Sequence, residues 1–119
     1  MAVNFEFKER YNFDDLVRIV KVLREPGGCP WDMEQTHQSI RENFLEETYE
    51  VIEAIDTNNK DLMQEELGDV LLQVLMHSDM ARTEGWFTID DVANDICKNY
   101  RREGMFFDEI LDEAKIGGK

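Results

Sequence analysis

The sequence predicts an all-α fold, a bundle of four main helices, and three observations carry that prediction. Apolar residues recur at helical spacing in four separate segments. No segment alternates convincingly as a strand would, and there is no internal repeat. Both prolines, Pro26 and Pro30, fall in one short stretch and leave the remaining segments free to run as uninterrupted helices. With 119 residues, of which 42% are hydrophobic, the chain has the size of a single domain, 1–119, with a modest core.

The first helix is expected to start near Asp14 as N-cap and to run to about Arg24 on Leu16, Val17, Ile19, Val20 and Leu23. Glu25 to Asp32 (EPGGCPWD) reads as a loop, since proline is not tolerated in a helix interior. A second helix spans about Ser39 to Ile55, with Ile40, Phe44, Val51 and Ile55 as its apolar stripe and Leu45 and Ile52 widening it. The polar turn from Asp56 to Asn59 is short, so the third helix must return antiparallel to the second. It carries Leu62, Leu67, Val70, Leu71, Val74, Leu75 and Ser78 and stops before Gly85. Thr88 and Asp91 form a capping-box pair that opens a fourth helix through Val92, Ile96 and Tyr100. In the tail, 103–119, residues Met105 to Leu111 are apolar enough to predict a short terminal helix packed on the bundle or on a second subunit.

The formal charge of -14, from 27 acidic and 13 basic residues, argues against nucleic acid or an anionic membrane as partner. No apolar run reaches the roughly 20 residues needed to span a bilayer, and the simplest expectation is a cytoplasmic protein. Cys29 and Cys97 lie in no metal or disulfide pattern and read as reduced thiols. Small helical chains often bury a remaining apolar face against a copy of themselves, so a homodimer or homotetramer is expected.

Between residues 46 and 69 stand nine acids and a single base, Lys60. Glu47 and Glu50 are three apart on the second helix, and Glu66 and Asp69 three apart on the third, so each pair projects from one helix face. Packed antiparallel, the two helices can bring four carboxylates to one point, a set of hard oxygen ligands suited to Mg²⁺ or Mn²⁺. Acids at this spacing are also common as a solvated helix face, which would ordinarily mix lysine or arginine among the acids. Both readings stand on pattern alone. Two other metal sites fail on their letters: a di-iron bundle needs two Glu-x-x-His pairs and only Glu34 to His37 qualifies, while an EF-hand loop started at Asp56 has Asp61 where glycine is required.

Taken together, GCPWD (28–32), LEETYEV (45–51), EELGD (65–69) and EGWF (84–87) resemble, in order and spacing, the motifs of the MazG family of nucleotide pyrophosphohydrolases, over about residues 20–102. The resemblance implies a MazG-like helical bundle, assembled as a dimer or higher oligomer. Its implied reaction is Mg²⁺-dependent hydrolysis of a nucleoside triphosphate, standard or modified, to monophosphate and pyrophosphate by metal-activated water. Carried over residue by residue, Glu47, Glu50, Glu66 and Asp69 would ligate the metal, and Glu46 would orient or deprotonate the attacking water. Cationic groups should complete a phosphate clamp, and Lys98, Arg101 and Arg102 near the end of the fourth helix are the densest basic cluster. Cations at a helix C-terminus are also favourable in their own right. One departure stands out: where many family members continue the double arginine as His-Pro-His-Val-Phe, this chain reads RREGMFF (101–107).

A second reading is a non-catalytic helical interaction or dimerisation module; a third is a related pyrophosphohydrolase acting on phosphoribosyl-ATP or on a single deoxynucleotide. Trp31 could stack on a base, although a tryptophan in a Pro/Gly loop is more often the anchor that packs the loop onto the core. Asp32 is placed to cap the segment after it. His37 and His77 have no partner visible in the sequence and read as ordinary helix or surface residues. Gly68, within a helix, would permit close approach of a neighbouring helix or of a ligand.

Overall fold

Asn12 opens the first helix, α1 (Phe13–Arg24), two residues earlier than the sequence suggests. Its side chain accepts from the Asp15 amide at 3.0 Å while the Asp15 carboxylate accepts from the Asn12 amide at 2.9 Å, so the two satisfy each other's free donors. Asp14 falls inside the helix and adds favourable negative charge to its first turn. The computed structural model describes residues 6–99, 101–102 and 105–106.

The proline stretch is not a loop throughout. Pro30 takes the first position of a short helix, α2 (Pro30–Glu34), where its missing N–H costs nothing and its fixed φ suits the helix. Asp32 therefore lies within α2 rather than capping its successor. The turn before it is held by backbone: the Cys29 amide donates to the Leu23 carbonyl at 2.8 Å and the Gly28 amide to that of Glu25 at 2.8 Å. Gly28 is buried so close under the end of α1 that a side-chain carbon there would collide with the carbonyls of Val22 and Leu23.

The two long helices, α3 (Arg41–Asp56) and α4 (Lys60–Thr83), form the antiparallel pair expected from the short turn. Asn58 adopts a left-handed conformation at φ 55°, which asparagine tolerates better than most residues. Asn59 then caps α4 by accepting from the Leu62 amide at 3.1 Å. At 24 residues α4 is roughly 36 Å long, the spine against which α1, α3 and α5 (Ile89–Asn99) pack. Glu84 ends it, and Gly85 follows with φ 75°. The Thr88–Asp91 capping pair forms as the sequence indicates, with the Thr88 amide donating to Asp91 at 2.9 Å.

Val20, Ile40, Leu75, Met76 and Met80 form the buried core, with Leu16, Val17, Leu71 and Ile89 against it. Much of the expected apolar stripe stays outside. Leu45, Ile52, Ile55 and Leu67 are about half exposed, because among the described residues nothing packs over the outer face of the α3–α4 pair.

After α5, Arg101–Arg102 (β1) and Met105–Phe106 (β2) pair antiparallel, Arg101 opposite Phe106. The sequence pattern instead places both arginines near the end of the fourth helix and predicts no strand. Past the end of α5 these residues have no helical partners, and the short ladder pairs their backbone groups with one another. Two residues per strand leave the all-α class unchanged. Of the terminal helix expected over Met105 to Leu111, Met105 and Phe106 lie in β2, and the remainder falls outside the described residues.

Candidate metal centre

Carboxylates of Glu47 on α3 and of Glu66 and Asp69 on α4 come within 4.8 Å of one another, a grouping able to hold a metal ion. The short turn and the antiparallel packing produce it: residues shortly before the end of α3 must lie beside residues shortly after the start of α4. Glu50 is more exposed and outside this set of three, but its carboxylate lies within hydrogen-bonding range of Glu66. Four acids of the sequence pattern are thus brought together, three tightly and one at the edge.

The electrostatics mark the cluster as unlike a solvated helix face. Glu66 is 6% exposed. The hydrogen bond with Glu50, then burial, then the proximity of Glu47 and Asp69 push its carboxyl up to about 8. Burial also pushes Glu47 up, with the charges of Asp69 and Glu50 adding to it. With every carboxylate ionised, the buried Oε2 atoms of Glu47 and Glu66 find no donor among the described residues. Such a site sheds part of its negative charge by binding a proton or a cation. A proton on Glu66 can bridge one pair; a hard divalent cation can satisfy the whole set, and all-oxygen donors are what Mg²⁺ and Mn²⁺ prefer.

Glu46 precedes Glu47 around the helix by about 100° and is exposed. Trp31, on α2, is 57% exposed, so it does not anchor the proline segment to the core. Starting α2 at Pro30 turns the indole outward, and the backbone bonds of Gly28 and Cys29 hold the segment instead. Lys98 is exposed near the end of α5, while Arg101 and Arg102 belong to β1, so the basic cluster does not share one helix end.

A side-chain carbon at Gly68 would meet nothing within 4 Å among the described residues, so no described neighbouring helix uses the space. Gln73, one turn on from Asp69, does not stand out in the sequence; its Oε1 is buried and has no partner among the described residues. Its i+4 spacing from Asp69 was the available signal. His37 and His77, which read as ordinary residues in the sequence, are partners of one another, with Nδ1 atoms 2.6 Å apart.

Residues 35–104 match the model of the MazG nucleotide pyrophosphohydrolase domain. The nucleoside triphosphate pyrophosphohydrolase/pyrophosphatase MazG of Thermotoga maritima is 58% identical over 80 residues, 67% of this chain and 31% of that protein. The nucleoside triphosphate pyrophosphohydrolase of Escherichia coli K12 is 44% identical over 90 residues, 75% of this chain and 34% of its own length. The uncharacterized protein YabN of Bacillus subtilis is 50% identical over 101 residues, 84% of this chain and 21% of that protein. The chain thus spans between about a fifth and a third of these relatives. The matched domain contains all four clustered acids, and the chain belongs to the MazG nucleotide pyrophosphohydrolase family.

Proposed function

We propose that this chain hydrolyses nucleoside triphosphates, deoxy and modified forms included, to monophosphate and pyrophosphate with the help of Mg²⁺, for which Mn²⁺ can substitute. The observation that carries the reading is the convergence of Glu47, Glu66 and Asp69 within 4.8 Å, with Glu50 against Glu66, in a chain of this family. Relatives named as nucleoside triphosphate pyrophosphohydrolases support the substrate class.

In this reading Glu47, Glu50, Glu66 and Asp69 hold the cation. A bound divalent ion would neutralise phosphate charge and acidify water. Glu46, exposed beside the cluster, orients the attacking water and takes its proton. Attack in line at the α-phosphorus breaks its bond to the bridging oxygen, and pyrophosphate leaves. Lys98, Arg101 and Arg102 lie beyond the acidic helices and supply the cations that a strongly acidic chain needs to receive a polyphosphate. Trp31, exposed on α2, offers its indole to a base.

Residues 1–119 act as one domain, in a cytoplasmic setting; no described helix is long and apolar enough to cross a membrane. Two or four copies assemble through the outer face of the long helix pair, where Leu45, Tyr49 and Ile52 repeat at i, i+4 and i+7 beside Leu67 and Leu72. The direct test is pyrophosphate release from a panel of nucleoside triphosphates, with Mg²⁺ and with chelator. Release that needs Mg²⁺ and yields monophosphate is expected. Silence across the panel would overturn the reading in favour of a binding module.

A further inference from the structure

His37, in the connector between α2 and α3, and His77, on α4, meet head to head. Their ring centroids are 4.9 Å apart, about the 2.6 Å Nδ1···Nδ1 contact plus two ring radii, and the planes differ by 9°. The rings are therefore in line and nearly coplanar, edge to edge, the geometry of one N–H···N hydrogen bond. That bond admits one proton between the two Nδ1 atoms. The neutral pair has one Nδ1–H and, on the accepting ring, one Nε2–H. A first added proton goes to the Nε2 of the donating ring and leaves the bond intact, now charge-assisted. A second has only the accepting Nδ1 left, which would place two N–H groups and two positive rings against each other.

We propose that the His37–His77 contact is a proton-counting latch that fastens the 35–40 connector and the first turn of α3 to α4, and that the second proton opens it. His77 also packs on Phe44 of α3 at 5.6 Å, so one ring joins three segments. The Trp86 indole lies over His37 at 5.6 Å and 14°. Charged neighbours set where the latch opens. Arg24 from α1 and Glu84 at the end of α4 line the hollow beside His37, with Arg24 tied to Asp79, which also holds Arg82. Arg41 from α3 lines the surface beside His77. The arginines oppose added protons and Glu84 favours them. Burial, then the charge of His37, moves His77 below the ordinary histidine range, so the buried pair resists added protons.

Hydrogen exchange of the full chain at about pH 7.5 and about pH 5, corrected for intrinsic rates, tests the latch. Protection of amides 36–44 is expected to fall about tenfold more than that of α1 at the lower pH. In His37→Asn, whose uncharged amide can donate to His77 at the same place, that loss should disappear. Unchanged wild-type protection, or an equal loss in the variant, overturns the proposal. Should the variant be open at both pH values, imidazole ¹⁵N shifts of the wild type decide. Two separated titration steps, with one Nδ1 protonated and one bare before the first, support the latch; two independent steps at ordinary histidine values refute it. In a Trp31→Phe background, Trp86 fluorescence should change between the same two pH values.

Discussion

Arg24, in the last turn of α1, donates to Asp79 of α4 across 2.6 Å, and the second oxygen of that carboxylate accepts from Arg82 at 3.0 Å. Both side chains of the first pair are 9% exposed, whereas that of Arg82 is 36% exposed. Removing Arg24 leaves the buried Asp79 carboxylate with only the more exposed Arg82 as its cation. Arg24→Ala is therefore expected to destabilise the fold by about 3 kcal/mol, and Arg82→Ala by about 1 kcal/mol or less. Urea denaturation of the two variants separates them; equal small losses would show the Arg24 pair to behave as a surface contact.

Two glycines should respond oppositely to the same substitution. Gly28→Ala drives a methyl into the carbonyls at the end of α1 and is expected to cost about 1–3 kcal/mol. Gly68→Ala places its methyl in open space on a helix and should stabilise the chain by up to about 1 kcal/mol. Thermal melts check both. If Gly68→Ala raises the melting temperature yet lowers turnover, the space above Gly68 belongs to substrate or to a second subunit.

The acidic cluster gives the chelated protein an unusual pH dependence. Glu66 is raised from 4.5 to about 8, so its contribution is fully present below the ordinary carboxylate value and is lost as pH rises through the folded value. His77 works the other way, its lowered value adding stability as pH rises toward 6.5. The upper part of the window, about pH 6.5 to 8, therefore isolates the carboxylates. There the melting temperature in chelator should fall with pH, Glu66→Gln should flatten the fall, and Mg²⁺ should reverse it. A flat wild-type profile in chelator would refute the coupling of the cluster.

Ligand and base roles should part under metal titration. Glu47→Gln and Asp69→Asn are expected to lose at least about 100-fold in kcat/KM, part of which returns at high Mg²⁺. Glu46→Gln, losing only a proton acceptor, should fall by about 10²–10⁴ with no rescue by the metal. Pyrophosphate release against Mg²⁺ concentration distinguishes them. Rescue of Glu46→Gln by Mg²⁺ would move Glu46 into the ligand set.

What could be read from the sequence was what local rules determine. Thr88 and Asp91 sit three apart and cap α5 as their spacing dictates, and Gly85 marks the end of α4. The acidic pairs were legible because each is one helical turn apart and the connection between their helices is short. Pro30 misled because the residue that breaks a helix interior also suits its first position. The His37–His77 contact joins residues forty apart, and no periodicity announces it. Leu67 follows the helical spacing of a core residue, yet is 50% exposed, since spacing identifies an apolar face without saying which molecule covers it.

The turn from Thr57 to Asn59 has a consequence for how the molecule comes into being. Every carboxylate of the cluster lies between residues 47 and 69, on the two helices that this turn joins. Closing so short a loop costs little entropy, and contacts between sequence neighbours form early in folding. The charges that resist one another are thus forced together as soon as the hairpin closes, before distant segments have docked. A cation able to bind the cluster would then act on nascent structure as much as on the finished fold.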